Sequence, residues 1–453
     1  MILNVRAYIW SATRFRPILF WKSYSLLYVC LTLLRQLSGF VRHIQNASAN
    51  RLKKYGRPRQ NEARLMGLVQ RPKSRKELFI LSRSGKASDQ PTNTMFPQIP
   101  FHRVNWLVSS FLIGTLFLSV TAVPLYLCFF GIDWFQIALF FAMLGACGFS
   151  ITLGYHRLFS HLTFQAHWIV RFFTVIFGAG AFEHSVLLWS CEHRTHHKHV
   201  DHDDDPYCIT KGLFYAHMGW LMFKLKPLPP FDNVADLKKD PLLVWQDRYI
   251  HLIAVLVAFV LPASIGFIWG GWKAALGAFL IAGVLRVVVL QHCTFCINSL
   301  CHYIGAQPYS SKCSARDSWL LAILTFGEGY HNYHHEFQHD YRNGVKPWQI
   351  DPTKWIIWIL SRVGLVSKLR RVPTEKIVLT ELAEAQRRLE ATLANPGLPE
   401  ATAAYIANAY HSLRETAQQW TQRKAGQLEV TREMLDGLRN QIRMATNALR
   451  LAS

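Results

Sequence analysis

The sequence predicts an all-α integral membrane protein: four transmembrane helices in two hairpins, with a cytoplasmic helical cap that carries clustered histidines. Three observations predict it. Half of the 453 residues are apolar (51%) and only 17% are charged. Uncharged apolar stretches reach the roughly 20 residues that a bilayer crossing needs. Nine of the twenty histidines fall in tight groups beside those stretches. The composition also excludes disorder as the main state, which requires low hydrophobicity and high charge.

Asn105 to Ile132 and Trp134 to Tyr155 carry no charged residue, and only Asp133 in a Gly-Ile-Asp-Trp turn separates them. That pattern predicts a first hairpin. The second runs from Tyr249 to Trp269, turns at Gly270-Gly271 and returns from Trp272 to about Phe295. Arg286 interrupts the last run and needs a partner or a path to the surface. The two tight turns hold one Lys/Arg, Lys273, whereas 156–248 holds ten and 303–373 holds nine. Positive charge favours the cytoplasmic side, so both large segments and both termini belong there. Trp168 to Trp189 is apolar but broken by Arg171, Glu183 and His184, which predicts an interfacial helix instead of a fifth span.

Three regions are expected: 1–94, 95–373 and 374–453. Residues 1–94 carry 18 Lys/Arg against three Asp/Glu in an irregular pattern. This predicts a disordered basic tail near anionic lipid, not a nucleic-acid-binding face. Met95 is an alternative natural start. Residues 374–453 are rich in helix formers and are broken at Pro396-Gly397 and Pro399. With Ile406, Leu413 and Trp420 at heptad spacing, they predict a soluble hairpin of two helices. The nine cysteines are scattered, and the single CxxC, Cys293 to Cys296, has no second pair to complete a metal site.

The chemistry lies in the histidines. His156 and His161 occur in GYHRLFSH, His193, His196 and His197 in EHRTHH, His302 in NSLCH, and His331, His334 and His335 in GYHNYHH. Positions i, i+3 and i+4 share one helix face, so each triplet presents three imidazoles together. His156 and His161 are five apart, about 140° around an α-helix, and converge only at a frayed helix end. Imidazoles this crowded stay mostly neutral, and a metal is their natural occupant. Nine are too many for one four-coordinate ion and suit two metals with open positions. Imidazole alone does not choose among zinc, copper, iron and nickel. Asp201, Asp203, Asp204, Asp205 and Glu328 flank the groups and are candidates to accept the outer N–H of a ligating ring. His102, His167, His251 and His411 read as ordinary polar residues. His199, His202 and His339 read as surface or supporting groups, and His292 is undecided.

The boxes HRLFSH, HRTHH and HNYHH, with NSLCH before the last, resemble those of the membrane-bound fatty acyl desaturases, most of all the Δ9 (stearoyl-CoA type) branch. The resemblance covers about residues 100–350 and includes the GLFYAHMGW run at 212–220. It implies a di-iron centre that uses O₂, held by the nine histidines, with one further position filled by water on Asn298. It implies a narrow kinked tunnel, with Trp189 and Thr294 at the kink. It implies a long-chain acyl substrate, on CoA or a lipid, and a cis double bond formed at Δ9. Two features depart from the acyl-CoA members. Cys191-Glu192 stands where they have an Arg-Asp pair, and their basic pair after GW survives only as Lys224 and Lys226. No HPGG haem-binding motif occurs, so electrons are expected from a separate ferredoxin, or from cytochrome b5 with its reductase. A basic 303–373 segment suits an acidic donor. These points favour a bacterial inner membrane. Two other functions compete: a di-iron alkane or lipid hydroxylase, and a membrane zinc transporter or store with ligands inside the bilayer.

Overall fold

The computed structural model describes residues 101–223, 227, 229–425 and 432–451. The basic N-terminal region, Met95, Lys224 and Lys226 lie outside them. Among the described residues the chain is mostly helical, and three helical stretches are long and apolar enough to cross a membrane.

The first is α1, Trp106–Phe130. Its hydroxyls avoid unpaired exposure by bonding back one turn: Thr115 donates to Phe111 O at 2.8 Å and Ser119 to Thr115 O at 2.9 Å. The second is α2, Trp134–Ser160. Asp133 starts it with a reciprocal capping box to Gln136. Gln136 Nε2 also donates to the Tyr126 hydroxyl at 2.7 Å, which donates to Lys273 O at 3.0 Å. The turn before α2 is thereby tied to the turn at Gly270-Gly271. The last eleven residues of α2, Ser150–Ser160, are wound as a π-helix.

The third stretch is Pro241–His302, 62 residues long. A straight helix of that length would measure about 93 Å, some three bilayer cores. It is not straight: Gly270 (φ −153°, ψ 33°) and Gly271 (φ 65°, ψ −157°) leave helical geometry. The positive φ at Gly271 explains the glycine. Residues 241–269 (α5) and 272–302 (α6) then lie against each other, with Gly283 close to Ala258 and Phe259.

Between α2 and α5, residues Gln165–Ala166 (β1) lead into α3, Trp168–Ala179, and then α4, Val186–His199. α3 is amphipathic: Val170 and Val175 are buried while Trp168, Ile169, Phe172 and Phe173 are exposed. Its C-terminal turn explains Arg286. That side chain is fully buried and donates to Gly180 O at 2.7 Å, Ala282 O at 3.2 Å and Ala258 O at 3.5 Å. Backbone carbonyls, not a carboxylate, satisfy it.

After α6 come α7, Trp319–Leu324; α8, His331–Glu336; α9, Pro352–Arg362; and β2, Val366–Ser367, which pairs antiparallel with β1. The C-terminal region differs from the expected two-helix hairpin. It contains α10, Thr374–Leu393; α11, Glu400–Ala425; and α12, Arg432–Leu451. Gly426 and Thr431, a helix stop and a capping residue type, are the sequence signals that the two-helix expectation overlooked. Ile406, Leu413 and Trp420 are buried there with Leu389, Leu438 and Ala448 in a core of their own.

Candidate metal centre

All nine histidine-box imidazoles converge. His156, His161, His193, His197 and His334 form one group, and His196, His302, His331 and His335 a second; within each, the ligand atoms lie within 4.8 Å of one another. The π-turn brings His156 and His161 together. Their i, i+5 spacing diverges on an α-helix, but here His161 N–H donates to His156 O at 3.1 Å, stacking residues five apart. α4 and α8 each deliver an HxxHH face. His302 comes from the one-turn helix Leu300–His302 that ends α6.

The Nε2 atoms are close: His161 to His193 2.8 Å, His334 to His197 2.9 Å, His334 to His156 3.0 Å, His331 to His302 3.1 Å, His331 to His335 3.1 Å, and His196 to His335 3.3 Å. Two nitrogens each about 2.1 Å from one metal, at a right angle, lie about 3.0 Å apart. The other ring nitrogens decide the tautomers. His156 Nδ1 meets Glu328 at 2.9 Å and His196 Nδ1 meets Asp205 at 2.9 Å. A carboxylate only accepts, so these Nδ1 atoms carry the protons and Nε2 carries the lone pair. His302 Nδ1 is 2.7 Å from Ser314 Oγ, which donates to Asp201 at 2.5 Å, with the same consequence. In these three rings Nε2 therefore carries the lone pair, turned toward a neighbouring imidazole, as a metal ligand requires. Burial first, then the neighbouring imidazoles, push His161, His193, His197, His334 and His335 well below the usual histidine range. His331 is pushed down to about 3, again chiefly by burial. Neutral rings are the form that metals bind.

Sequence reasoning missed the groups that hold this arrangement. Arg157 is fully buried and donates to Glu328 (2.8 and 3.1 Å) and to Asp351 (3.0 and 3.1 Å). Asp351 also caps α9 through Lys354 N at 3.0 Å. Asp317 accepts from Asn332 N and Tyr333 N at the start of α8, at 2.8 and 3.0 Å. The Tyr207 hydroxyl is 3.3 Å from His193 Nδ1. The available signal was a charge inside a box, Arg157, at the apolar end of α2. Of the remaining candidates, Asp203 and Asp204 stay at the surface, His339 lies 3.1 Å from His161 O, and His167 caps α3. His292 pairs with His217 at 3.0 Å, outside both groups.

A cavity of about 340 Å³ is lined by residues that include Asn298, His193, Trp189, Thr294, Phe111, Ile250 and His251. No Lys or Arg lines it among the described residues. Trp189 stacks on His193 at 4.8 Å. Glu183, unassigned from sequence, accepts from Thr294 Oγ1 at 2.7 Å and from Trp189 Nε1 at 3.4 Å. Burial raises its carboxyl to about 7, against those two hydrogen bonds. Burial likewise raises Glu192, in the same wall, to about 8. A second space of about 20 Å³, room for roughly one water, lies between Asn298, His156, His193, His196 and His331.

The family model for fatty acid desaturases matches residues 132–358, which include every box. Acyl-CoA desaturase 1 of Saccharomyces cerevisiae is 42% identical over 282 residues, 61% of this chain and 53% of the relative. Delta(9)-fatty-acid desaturase fat-6 of Caenorhabditis elegans is 36% identical over 250 residues, 54% and 73%. Stearoyl-CoA desaturase of Capra hircus is 34% identical over 243 residues, 52% and 67%. The chain spans about half the length of the two yeast relatives it matches. By this match, over half of its length and through all of its histidine boxes, the chain belongs to the fatty acid desaturase family.

Proposed function

We propose that the protein is an O₂-dependent fatty acyl desaturase that forms a cis double bond, at Δ9, in a saturated chain carried on CoA. The observation that carries this is the pair of histidine groups beside a mostly apolar cavity, which shares His193 and Asn298 with the small space among the imidazoles. The names of the relatives support Δ9 and CoA. A phospholipid-borne chain is the alternative, since no cation lines the cavity among the described residues.

Two iron ions, held by the five-histidine and four-histidine groups, would supply the activation of O₂ needed to break unactivated C–H bonds. Over the whole reaction, O₂, two electrons and two protons take up two hydrogen atoms from adjacent carbons, giving one double bond and two waters. The chain's own residues do the positioning. The cavity excludes water and holds an alkyl chain that has no polar handle, so depth sets the carbon that reacts. Trp189 and Thr294, clamped by Glu183, narrow the path beside His193. Glu328, Asp205 and Ser314 orient imidazoles. A separate one-electron donor, a ferredoxin or cytochrome b5, delivers electrons.

We read α1 and α2 as one membrane hairpin and α5 and α6 as another, four spans in all, because the glycine break halves an otherwise too long helix. The cap and termini then face the cytoplasm, in our reading of a bacterial inner membrane. Gas chromatography of fatty-acid methyl esters tests the function, in a desaturase-deficient host expressing the full chain beside a His196→Ala control. New cis-monounsaturated chains absent from the control are expected. Hydroxylated chains would instead favour the hydroxylase reading.

A further inference from the structure

Two short helices of the cap carry apolar faces that the described residues leave exposed. In α9, Trp355, Trp358 and Ile359 are exposed at i, i+3 and i+4, while Thr353 and Ile357 are buried. In α7, Leu320, Ile323 and Leu324 are exposed with the same spacing, and Leu321 and Ala322 are buried. Charge stays off both faces. α7 has no charged residue. Lys354 of α9 turns inward, where its ammonium donates to the carbonyls of Gly344, Gln349 (3.1 Å) and Lys346 (3.3 Å). Arg362, in the last turn of α9, lies 5.6 Å from the Trp358 ring, and Lys368 and Arg370 are exposed just beyond.

Two contacts with α2 set the level of these faces. The hydroxyls of Thr353 and Thr152 are hydrogen-bonded at 2.8 Å, which joins the first turn of α9 to α2. Phe326, two residues after α7, packs on Phe149 at 5.0 Å and lies over Gly148, where a Cβ would meet its ring at 2.6 Å. Gly148 and Thr152 follow Trp134, the first residue of α2, by 14 and 18 residues, about 21 and 27 Å of helix. The hydrocarbon core of a bilayer is about 30 Å thick. With α2 read as a span that starts at Trp134, both contact points fall inside the core, near its cytoplasmic edge. The β1–β2 pairing and the bond from His167 N to Leu365 O, 2.9 Å, also set the end of α9 beside the start of the amphipathic α3.

We propose that α7 and α9 are sunk in the cytoplasmic leaflet, with their exposed faces against acyl chains and Arg362, Lys368 and Arg370 at the headgroups. The proposal rests on the reading of α1 and α2 as a membrane hairpin. Depth selects lipid over water as the occupant. Indoles suit the boundary layer, and long basic side chains reach from it toward anionic headgroups.

The test uses the full chain in nanodiscs of phosphatidylcholine and phosphatidylglycerol, with peptide mass spectrometry after two treatments. Hydroxyl radicals made in the water oxidise water-facing side chains, and a lipid-soluble aryl diazirine labels lipid-facing ones. Phe117, 61% exposed along α1, is the lipid control, and Tyr405, 47% exposed on α11, is the water control. Trp355, Trp358 and Ile359 are expected to take the diazirine as Phe117 does and to resist oxidation. Ile359→Glu places a charge in the acyl layer and should raise oxidation of Trp355 and Trp358 several-fold. Oxidation of both indoles in the unaltered chain as readily as Tyr405, with Phe117 labelled, overturns the proposal and leaves the hairpin standing. Protection from both reagents overturns it in favour of a protein surface, such as a second copy, on this face. An unlabelled Phe117 removes the hairpin reading and the proposal with it.

Discussion

Replacing Glu328 by glutamine tests the core of the structural argument. The carboxylate receives Arg157 Nε and Nη2, Asn343 Nδ2 and His156 Nδ1. An amide offers one acceptor oxygen and turns an NH₂ toward the remaining donors. Arg157 would keep only Asp351 as a buried counter-charge. Breaking a buried pair this way costs about 3–5 kcal/mol. The pH dependence gives an independent figure. Burial alone would raise the Glu328 carboxyl, but Arg157 and His156 outweigh it and hold it down to about 2, from an ordinary 4.5. At about 1.4 kcal/mol per unit, that corresponds to on the order of 3 kcal/mol. Because the folded value is depressed, this stability is fully present above pH 4.5 and is lost as pH falls from 4.5 toward 2. Iron-free wild type and Glu328→Gln should be melted in micelles across pH 7 to 3, followed by tryptophan fluorescence. The wild type should be the more stable at pH 7, and the gap should close toward pH 3. A gap that is absent, or that stays constant with pH, would refute the reasoning. At neutral pH the variant should also bind iron roughly 10–100-fold more weakly, from the loosened His156.

Other substitutions probe separate parts of the centre. His334→Ala and His302→Ala strike different groups, so iron per chain by plasma emission should fall in each, with different Mössbauer signatures for the iron that remains. Ser314→Ala removes the acceptor that orients His302 and should weaken iron binding about 10–100-fold, while the melting temperature of the iron-free protein changes little. Thr294→Val leaves Glu183 without its shorter hydrogen bond. The product chromatogram should then show a changed double-bond position or chain-length preference, with iron content intact.

Much of this was legible because membrane and metal chemistry each impose simple patterns. Uncharged runs marked α1, α2 and the limbs of the 62-residue stretch, and HxxHH spacing marked two ligand faces. Other features depend on contacts that no local pattern encodes. The i, i+5 pair His156 and His161 was expected to converge at a frayed helix end, and it is the π-turn of Ser150–Ser160 that aligns them. Besides Ala282 O one turn back, Arg286 is satisfied by the carbonyls of Gly180, at the end of α3, and Ala258, in α5, contacts that no local pattern encodes. Ser314 reaches His302 across a loop, and Arg157 finds Glu328 and Asp351 more than 170 residues away. The third C-terminal helix, Arg432–Leu451, follows no proline break like the one at Pro396-Gly397 and Pro399 that marks the first boundary.

The cap also accounts for how one buried acidic pair can organise both histidine groups. Arg157 stands at the end of α2, Glu328 immediately before α8, and Asp351 at the cap of α9. Their ion pairs fix three elements at one point. Glu328 then orients His156 of the first group, and α8 carries His334 to the first group and His331 and His335 to the second. Charges outside both histidine groups thus position His156 and the helix α8 that contributes to each group. Because the same contacts hold the cap together and aim the imidazoles, metal binding by them would be coupled to cap stability. Iron at a hundred times its dissociation constant should add about 2.7 kcal/mol to unfolding of the cap. The C-terminal helices have their own core around Leu389, Leu413 and Leu438 and should gain little. Amide hydrogen exchange with and without iron separates the two: protection should rise in α4 and α8 and stay unchanged in α11. A uniform rise across both regions would mean that they unfold as one unit, and the coupling would then not be local to the histidine cap.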